Sequence, residues 1–366
     1  MGEKGSEKDI SEFRFGSCLN IYLFHRNNKL FMKIIRTNIT KNALIPKKFK
    51  LIENGVCRKG DVVLAKLLSA QKKPRNYLKK NRKKVKVRKG NVFMGCISDR
   101  YAPKILRAII PKRLKKGDTL NLLESAGAIG IVKSARPGYT KREIEFLGFV
   151  SSNGKKINIM DYSIKVKKVK ISPKIIVVVG VVENSGKTLT IAGLTEGLVK
   201  RGYKVCVGKL TGIGDDTDVI LSKSKGAKKV LSIIDAGWPS SVGLSKKELD
   251  EVFIKIYSNL AEVNPDFIIL EIADGITQRE SAMLMKSKLL TKYKPCYILS
   301  VKDPVGAYGG KILMKKKFGV TPVFFTGKGT VTDIGREEIE NTTGSKAFNP
   351  VSQWDEMTSY LLKKVL

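Results

Sequence analysis

The segment from Lys174 to Val205, KIIVVVG-VVENS-GKT-LTIAGLTEGLVKRGYKV, constrains this chain more than any other. The apolar run that ends at Gly180 reads as a strand buried on both faces, as in a parallel sheet. Five residues later, Gly186-Lys187-Thr188 open a stretch of helical periodicity. A loop between a buried strand and a helix start aims backbone N–H groups at one point, where the helix dipole favours negative charge. In such a loop Lys187 neutralises the β- and γ-phosphates of a nucleotide and the Thr188 hydroxyl ligates Mg²⁺. Gly186 lets the backbone approach the anion closely. The expected nucleotide cradle is therefore Gly180, Glu183, Asn184, Ser185, Gly186, Lys187, Thr188 and Leu189. The match to G-x-x-x-x-G-K-[ST] is imperfect. Val181 stands where the first glycine belongs, and Gly180 lies one residue earlier.

Around this segment the pattern alternates between strand and helix. Strands are expected at Lys174–Gly180, Tyr203–Lys209, Phe267–Glu271, Pro295–Val301 and Val320–Phe325, and helices at Lys187–Arg201, Lys246–Ala261, Arg279–Lys288 and Ser352–Leu366. Alternation of this kind implies a parallel sheet with helices on its faces. From about Phe31 to Ile164 the grammar differs. Short alternating stretches such as DVVLAKLL, NVFMGCI and EIEFLGFV are separated by turns such as Lys116-Gly117-Asp118 and Asn153-Gly154. They imply an antiparallel barrel or sandwich. The boundary is placed at Ser172-Pro173, giving a β-rich domain over 1–172 and an α/β domain over 173–366.

Charge follows the same division. The chain of 366 residues carries a formal net charge of +37. Residues 1–172 hold 42 Lys+Arg against 12 Asp+Glu, a balance of +30, which leaves +7 for the remainder. Eleven of the eighteen residues from Lys72 to Lys89 are basic, and a block of that kind repels itself into a loop, at least up to Lys84. The excess predicts attraction to polyanions, so nucleic acid is one expected partner of the basic domain. An anionic small molecule or protein is the other, and a lysine-rich background composition accounts for the charge equally well.

Other classes are excluded by what is missing. The longest apolar run, Ile175 to Val182, is far shorter than the roughly 20 residues that span a bilayer. No membrane partner is expected. The charged start, MGEKGSEKDI, lacks the apolar core of a secretory signal, although Gly2 and Ser6 fit a loose myristoylation pattern. Five scattered cysteines, no CxxC and a single histidine, His25, argue against a disulfide framework or a zinc site. The expected location is cytoplasmic.

The spacing of Gly180 and Gly186 resembles the dethiobiotin synthetase family, whose loop reads G-T-D-T-x-V-G-K-T. Within the same SIMIBI class of phosphate-loop NTPases, cobyrinic acid amidating synthetases and the molybdopterin-guanine dinucleotide accessory protein share this layout. The accessory protein is the one most similar over Asn184 to Thr188. The likeness continues at Lys209-Leu210-Thr211-Gly212, at Asp215, Asp216 and Asp218, at Leu270-Glu271-Ile272-Ala273-Asp274-Gly275 and at the Pro304-Val305-Gly306 turn. It covers roughly residues 174–330. The family's loop aspartate is absent, and the glycine-rich stretch after Glu271 is not reproduced. The second lysine of the partition ATPases is also missing, since positions 181–184 read Val-Val-Glu-Asn.

The resemblance implies that Glu271 and an aspartate at 215–216, Asp216 foremost, hold Mg²⁺ together with Thr188. Mg²⁺ does prefer oxygen ligands and one or two carboxylates. Asp215, Asp216 and Asp218 read equally as a solvated turn. Lys209 ends a buried strand, where it either stabilises a transferring phosphoryl group or snorkels. Asp274 either orients water or caps the following helix. The stretch Ser300-Val301-Lys302-Asp303 approaches an Asn-Lys-x-Asp guanine reader without its spacing, which favours ATP over GTP. The Thr326-Gly327-Lys328-Gly329-Thr330 turn is either a base-contacting loop or a plain turn.

Together these imply an Mg·ATP-dependent hydrolase or synthetase that phosphorylates an unidentified small-molecule acceptor, with Lys187, Lys209 and Asp274 as catalytic residues. The alternative is an ATP-switched binding protein whose basic domain contacts nucleic acid or another anionic partner. A homodimer is expected in either case.

Overall fold

A computed structural model describes residues 10–15, 18–23, 34–69, 77–80 and 83–366. Gly2, Ser6 and His25 lie outside the described residues, as do residues 70–76 and 81–82. The chain forms a mixed α/β fold of two compact units. One comprises Met1–Ser163 with Gly237–Ser240, and the other Ile164–Ala236 with Ser241–Leu366. The division therefore falls nine residues before Pro173. Residues 164–172 run with the second unit, where the Lys165 carbonyl accepts from Asn259 Nδ2 at 2.7 Å and the Lys167 N–H donates to Ser258 Oγ at 3.1 Å.

The first unit is β-rich and is organised around a barrel. Its seven principal strands are β1 (Val62–Leu67), β2 (Val92–Ile97), β3 (Arg100–Ala102), β4 (Leu106–Ile109), β5 (Thr119–Leu122), β6 (Ala128–Ala135) and β7 (Glu143–Ser152). Antiparallel pairs link β2 to β1, β1 to β7, β7 to β5 and β5 to β6. The circle closes where β6 pairs in parallel with β2, Ala128 opposite Cys96 and Ile129 opposite Ile97. Of the two architectures open from sequence, the chain adopts the closed one, which removes sheet edges within the ring. Closure brings backbones together, and a Cβ on Gly95 would sit 2.4 Å from the Gly127 carbonyl. Val63, Ala65, Phe93, Ile129, Ile144, Phe146 and Phe149 fill the interior.

The basic block departs from the loop expected of it. Tyr77–Lys80 and Lys83–Lys86 pair as an antiparallel hairpin. Its apolar positions explain this, because Leu78 is fully buried and joins Val85 and Val87 on the barrel core. Apolar burial at three positions offsets the repulsion that composition alone predicts.

The second unit is a seven-stranded parallel sheet with helices between its strands. In chain order these are β8 (Lys174–Gly180), α1 (Lys187–Lys200), β9 (Val205–Lys209), α2 (Thr217–Ser224), β10 (Lys229–Leu231), α3 (Lys246–Ala261), β11 (Phe267–Glu271), α4 (Arg279–Met285), α5 (Lys288–Thr291), β12 (Cys296–Val301), α6 (Pro304–Phe318), β13 (Phe325–Gly327), α7 (Asp333–Thr343), β14 (Ala347–Phe348) and α8 (Trp354–Val365). The strand order is β10-β9-β11-β8-β12-β13-β14. Ile175 to Val179 are buried throughout, as the unbroken apolar run requires of a strand covered on both faces. Val178, Val207 and Ile269 pack with Ile191, Leu194 and Leu198 of α1 in one core.

Two sequence expectations are corrected here. Pro304-Val305-Gly306 is the first turn of α6, with Asp303 as its N-cap and Pro304 at the first helical position. The strand expected at 320–325 runs instead over Phe325–Gly327.

Candidate functional site

The site assembles at the carboxyl ends of β9, β11, β8, β12 and β13, the edge at which open parallel sheets bind ligands. Strand β8 delivers Gly180, and the chain turns through Asn184 (φ 59°) and Gly186 (φ 116°) before α1 begins. Glycine is needed at two of these positions because no Cβ fits. On Gly180 it would meet Ser185 Oγ at 2.4 Å, and on Gly186 the Gly327 Cα at 2.7 Å. Gly180 thus supplies the close approach at the loop's start, which explains how Val181 can stand at the motif's first glycine position.

Neighbouring strand ends hold the loop. The Ser185 carbonyl accepts from the Lys328 N–H at 2.8 Å. Thr190 Oγ1 reaches the Gly186 carbonyl at 3.1 Å and the hydroxyls of Ser300 and Thr326 at 3.3 and 3.2 Å. Gly275 sits where a Cβ would meet the Val181 carbonyl at 2.8 Å, and the Ile276 N–H donates to the Gly180 carbonyl at 2.9 Å. These contacts pack the loop into a cradle. At its centre the Ser185 hydroxyl is fully buried, with no hydrogen-bond partner among the described residues. Such a group is costly unless a ligand satisfies it.

Two lysines are buried here. Lys187, the first residue of α1, is 6% exposed and its Nζ donates to the Asp274 carbonyl at 2.9 Å. Lys209 is 4% exposed and its Nζ lies 3.5 Å from the Asp215 carbonyl. Glu271, 3% exposed, ends β11 directly between Val178 of β8 and Lys209 of β9. Strand alternation puts Lys209 and Glu271 on the face of Val207 and Ile269, the face that α1 covers. Both charged groups therefore extend the core face beside the start of α1.

The remaining expected residues are placed less uniformly. Thr188 is half-buried in the first turn of α1, Leu189 is 45% exposed on its outer side, Glu183 is half-buried and Asn184 is exposed. Asp216 is fully buried at the N-cap of α2, and its Oδ1 accepts from Ser232 Oγ at 2.6 Å. Asp274 does not cap the next helix, whose N-cap is Gln278. It holds a left-handed conformation (φ 66°) and presents its carbonyl to Lys187. Among the described residues, no three His, Cys, Asp or Glu side chains gather into a metal-binding group.

Ser300, Thr326 and Gly327 were not singled out individually from sequence. The small or hydroxyl residues that close β12 and β13 are the signal that points to them. The turn 326–330 packs against the cradle, and a Cβ on Gly327 would lie 2.3 Å from the Ser185 carbonyl. A Cβ on Gly329 would lie 2.9 Å from the Asp303 nitrogen, so this turn and the end of β12 form one surface.

A glycine-bounded cradle before a helix that opens on a buried lysine, with an acid closing the adjoining strand, has the geometry of a phosphate loop. No family model and no curated protein matches the chain. Solved structures do. The signal recognition particle 54 kDa protein of Aeropyrum pernix K1 in complex with GDP is similar at 19% identity and a TM-score of 0.35, over 54% of this chain and 50% of that one. The signal recognition particle receptor FtsY of Elizabethkingia anophelis in complex with GDP is similar at 20% identity and 0.35, over 52% and 55%. A second FtsY structure from that organism gives 17% identity and 0.34, over 56% and 66%. The chain thus spans about half to two thirds of the length of these proteins.

These matches correct the expectation of an ATP-dependent synthetase of dethiobiotin type, and with it ATP as the cofactor and the ATP-switched alternative. The matched proteins are a signal recognition particle protein and a signal recognition particle receptor, and two of the three structures hold GDP. Among the described residues no helix is long and apolar enough to cross a membrane.

Proposed function

We propose that the second unit binds a nucleoside triphosphate with Mg²⁺ and hydrolyses its terminal phosphate, with guanine as the base. The observation that carries the reading is the buried Lys187 ammonium beside the unsatisfied Ser185 hydroxyl at the positive end of α1. A phosphate tail supplies acceptors for both and for the backbone N–H groups around them. Lys187 and Lys209 then stabilise negative charge on the phosphoryl group. Thr188 and Glu271 are the oxygen donors suited to Mg²⁺, which neutralises phosphate charge when bound. Asp216, the other acid expected at the metal, already serves Ser232 with one oxygen and is the weaker candidate. The Asp274 carbonyl parks the Lys187 ammonium at 2.9 Å until phosphate takes it over.

Two features support guanine. The bound GDP of two matched structures makes it the base to test first. In this chain, the backbone of Asp303 adjoins Gly329 of the 327–329 turn, and its exposed carboxylate accepts from the Gly306 N–H at 2.6 Å. A carboxylate accepts from the N1–H and 2-amino group of guanine, a donor pair that adenine lacks. Phosphate release measured with each of the four nucleotides tests this. GTP is expected to be turned over most efficiently, and Asp303→Ala to raise the KM for GTP about tenfold or more. Equal turnover of all four nucleotides, unchanged by Asp303→Ala, would remove the base assignment and leave the phosphate site standing.

A further inference from the structure

We propose that the first unit binds single-stranded nucleic acid in a cleft across β3, β4 and β6, with a base stacked on Tyr101 and phosphates paired with Arg107 and Arg136. The cleft, of about 470 Å³, is lined by Tyr101, Pro103, Arg107, Ser134 and Arg136 among others. Among the described residues, its lining contains no acidic side chain.

The strand register builds it. Tyr101 stands opposite Arg107 across the β3–β4 pair, and Arg107 opposite Ser134 across the β4–β6 pair. The three residues therefore form one lateral row on a single face, with neighbouring strands about 4.8 Å apart. Arg136 follows two residues beyond Ser134 and is held by its N–H on the Ile105 carbonyl at 3.0 Å. Tyr101 is 50% exposed, so its ring is open to solvent. Arg107 and Arg136 are exposed beside it, and Lys104 and Lys133 add exposed positive charge at the margins.

The chemistry selects the occupant. An exposed ring flanked by guanidinium groups offers stacking and phosphate pairing together, which unpaired bases use and a duplex does not. The larger cleft of the same unit, about 1040 Å³ around Arg58, Lys59, Lys155 and Lys156, lacks this combination. There Lys59 is spent on Asp99 at 2.9 Å, Lys156 on the Val56 carbonyl at 2.6 Å, and Trp238 is 9% exposed. The assignment does not depend on the nucleotide site, because it concerns residues of the first unit alone.

The test titrates the full chain, without nucleotide, against a fluorescein-labelled single strand of about twenty mixed nucleotides, read by fluorescence anisotropy. Tyr101→Ala is expected to weaken binding about fivefold or more, while Tyr101→Phe keeps it within about twofold. Heparin, a polyanion without bases, separates stacking from charge. Tyr101→Ala should leave heparin affinity unchanged, whereas Arg107→Gln with Arg136→Gln should weaken both ligands. Full oligonucleotide affinity in Tyr101→Ala would overturn the proposal. So would equal affinity for a duplex of the same length, or tighter binding to phosphatidylserine vesicles than to the oligonucleotide.

Discussion

Lysine does two different jobs in the two units. In the second, Lys187 and Lys209 are nearly inaccessible, at 6% and 4% exposed, and end regular elements that aim at one cradle. In the first, basic residues such as Lys104, Arg107, Lys133 and Arg136 stand exposed on the outside of a barrel. A buried ammonium is costly to place and acts at short range on one ligand. Exposed cations act through a field that counterions screen. On the proposed readings, basic residues thus serve a buried anion site in one unit and an exposed, salt-sensitive cleft in the other.

The largest expected effect sharpens that contrast. Lys187→Ala should lower GTP turnover by about a hundredfold or more, in the range seen when a phosphoryl-stabilising group is lost, with the far-UV circular dichroism retained. Arg113→Ala, which removes an exposed cation from the first unit, should leave turnover unchanged. Comparable losses in both variants would break the distinction. Next in size is salt. Raising KCl from about 50 to about 200 mM should weaken oligonucleotide binding by roughly tenfold or more, since each phosphate contact releases counterions. GTP turnover over the same range should change by less than about twofold, because the cradle is buried.

Much of the second unit was legible in the sequence because its elements obey strong local rules. Ile175–Val179 could only be a doubly covered strand, and Ser245 with Glu248 closes a capping box on α3, which begins at Lys246 as the periodicity implied. Helix α6 was missed, although Asp303, Pro304 and the left-handed Gly319 mark both its ends. The glycines at 306, 309 and 310 hid its periodicity, and a turn drawn from family likeness took its place. The barrel's strands could be read, but not its closure. That depends on a parallel pairing of β2 with β6, some thirty residues apart, which no local pattern records. Lys187 and Glu271 were named from their types, and both lie buried at the edge where the loop and the strand ends meet. The packing of Gly327 and Gly329 on the cradle was not legible, because it is a contact between loops distant in sequence.

The cradle's rigidity gives a smaller prediction. Gly327 has φ 112°, and a Cβ there would meet the Ser185 carbonyl at 2.3 Å. Gly327→Ala should destabilise the second unit by about 1–3 kcal/mol, read as a lower thermal midpoint, and weaken GDP binding alongside. Gly138, in the first unit, also has a positive φ but no atom within 4 Å of its Cβ position. Gly138→Ala should therefore cost less.

The smallest effect concerns carboxylates. Burial holds the Asp61 carboxyl of the first unit above its usual range, the lowering by Arg58, Asn158 and Lys156 being the lesser influence. Hydrogen bonds from Lys225 and Lys200 hold Glu196 of the second unit below its range. Asp61 thus contributes stability at low pH that is lost as pH rises through its folded-state pKa. Glu196 contributes stability at neutral pH that is lost as pH falls through its own. Carboxyl-carbon NMR titration should show midpoints displaced in opposite directions, and a shared direction would contradict the assignment.

The central claim is that a phosphate tail occupies the loop ahead of Lys187. A crystal structure with Mg²⁺ and a non-hydrolysable GTP analogue tests it most directly. The expected result is phosphate oxygens within hydrogen-bond distance of the Ser185 hydroxyl and of Lys187 Nζ, with that ammonium released from the Asp274 carbonyl. A nucleotide bound elsewhere, with Lys187 still on Asp274, would contradict it.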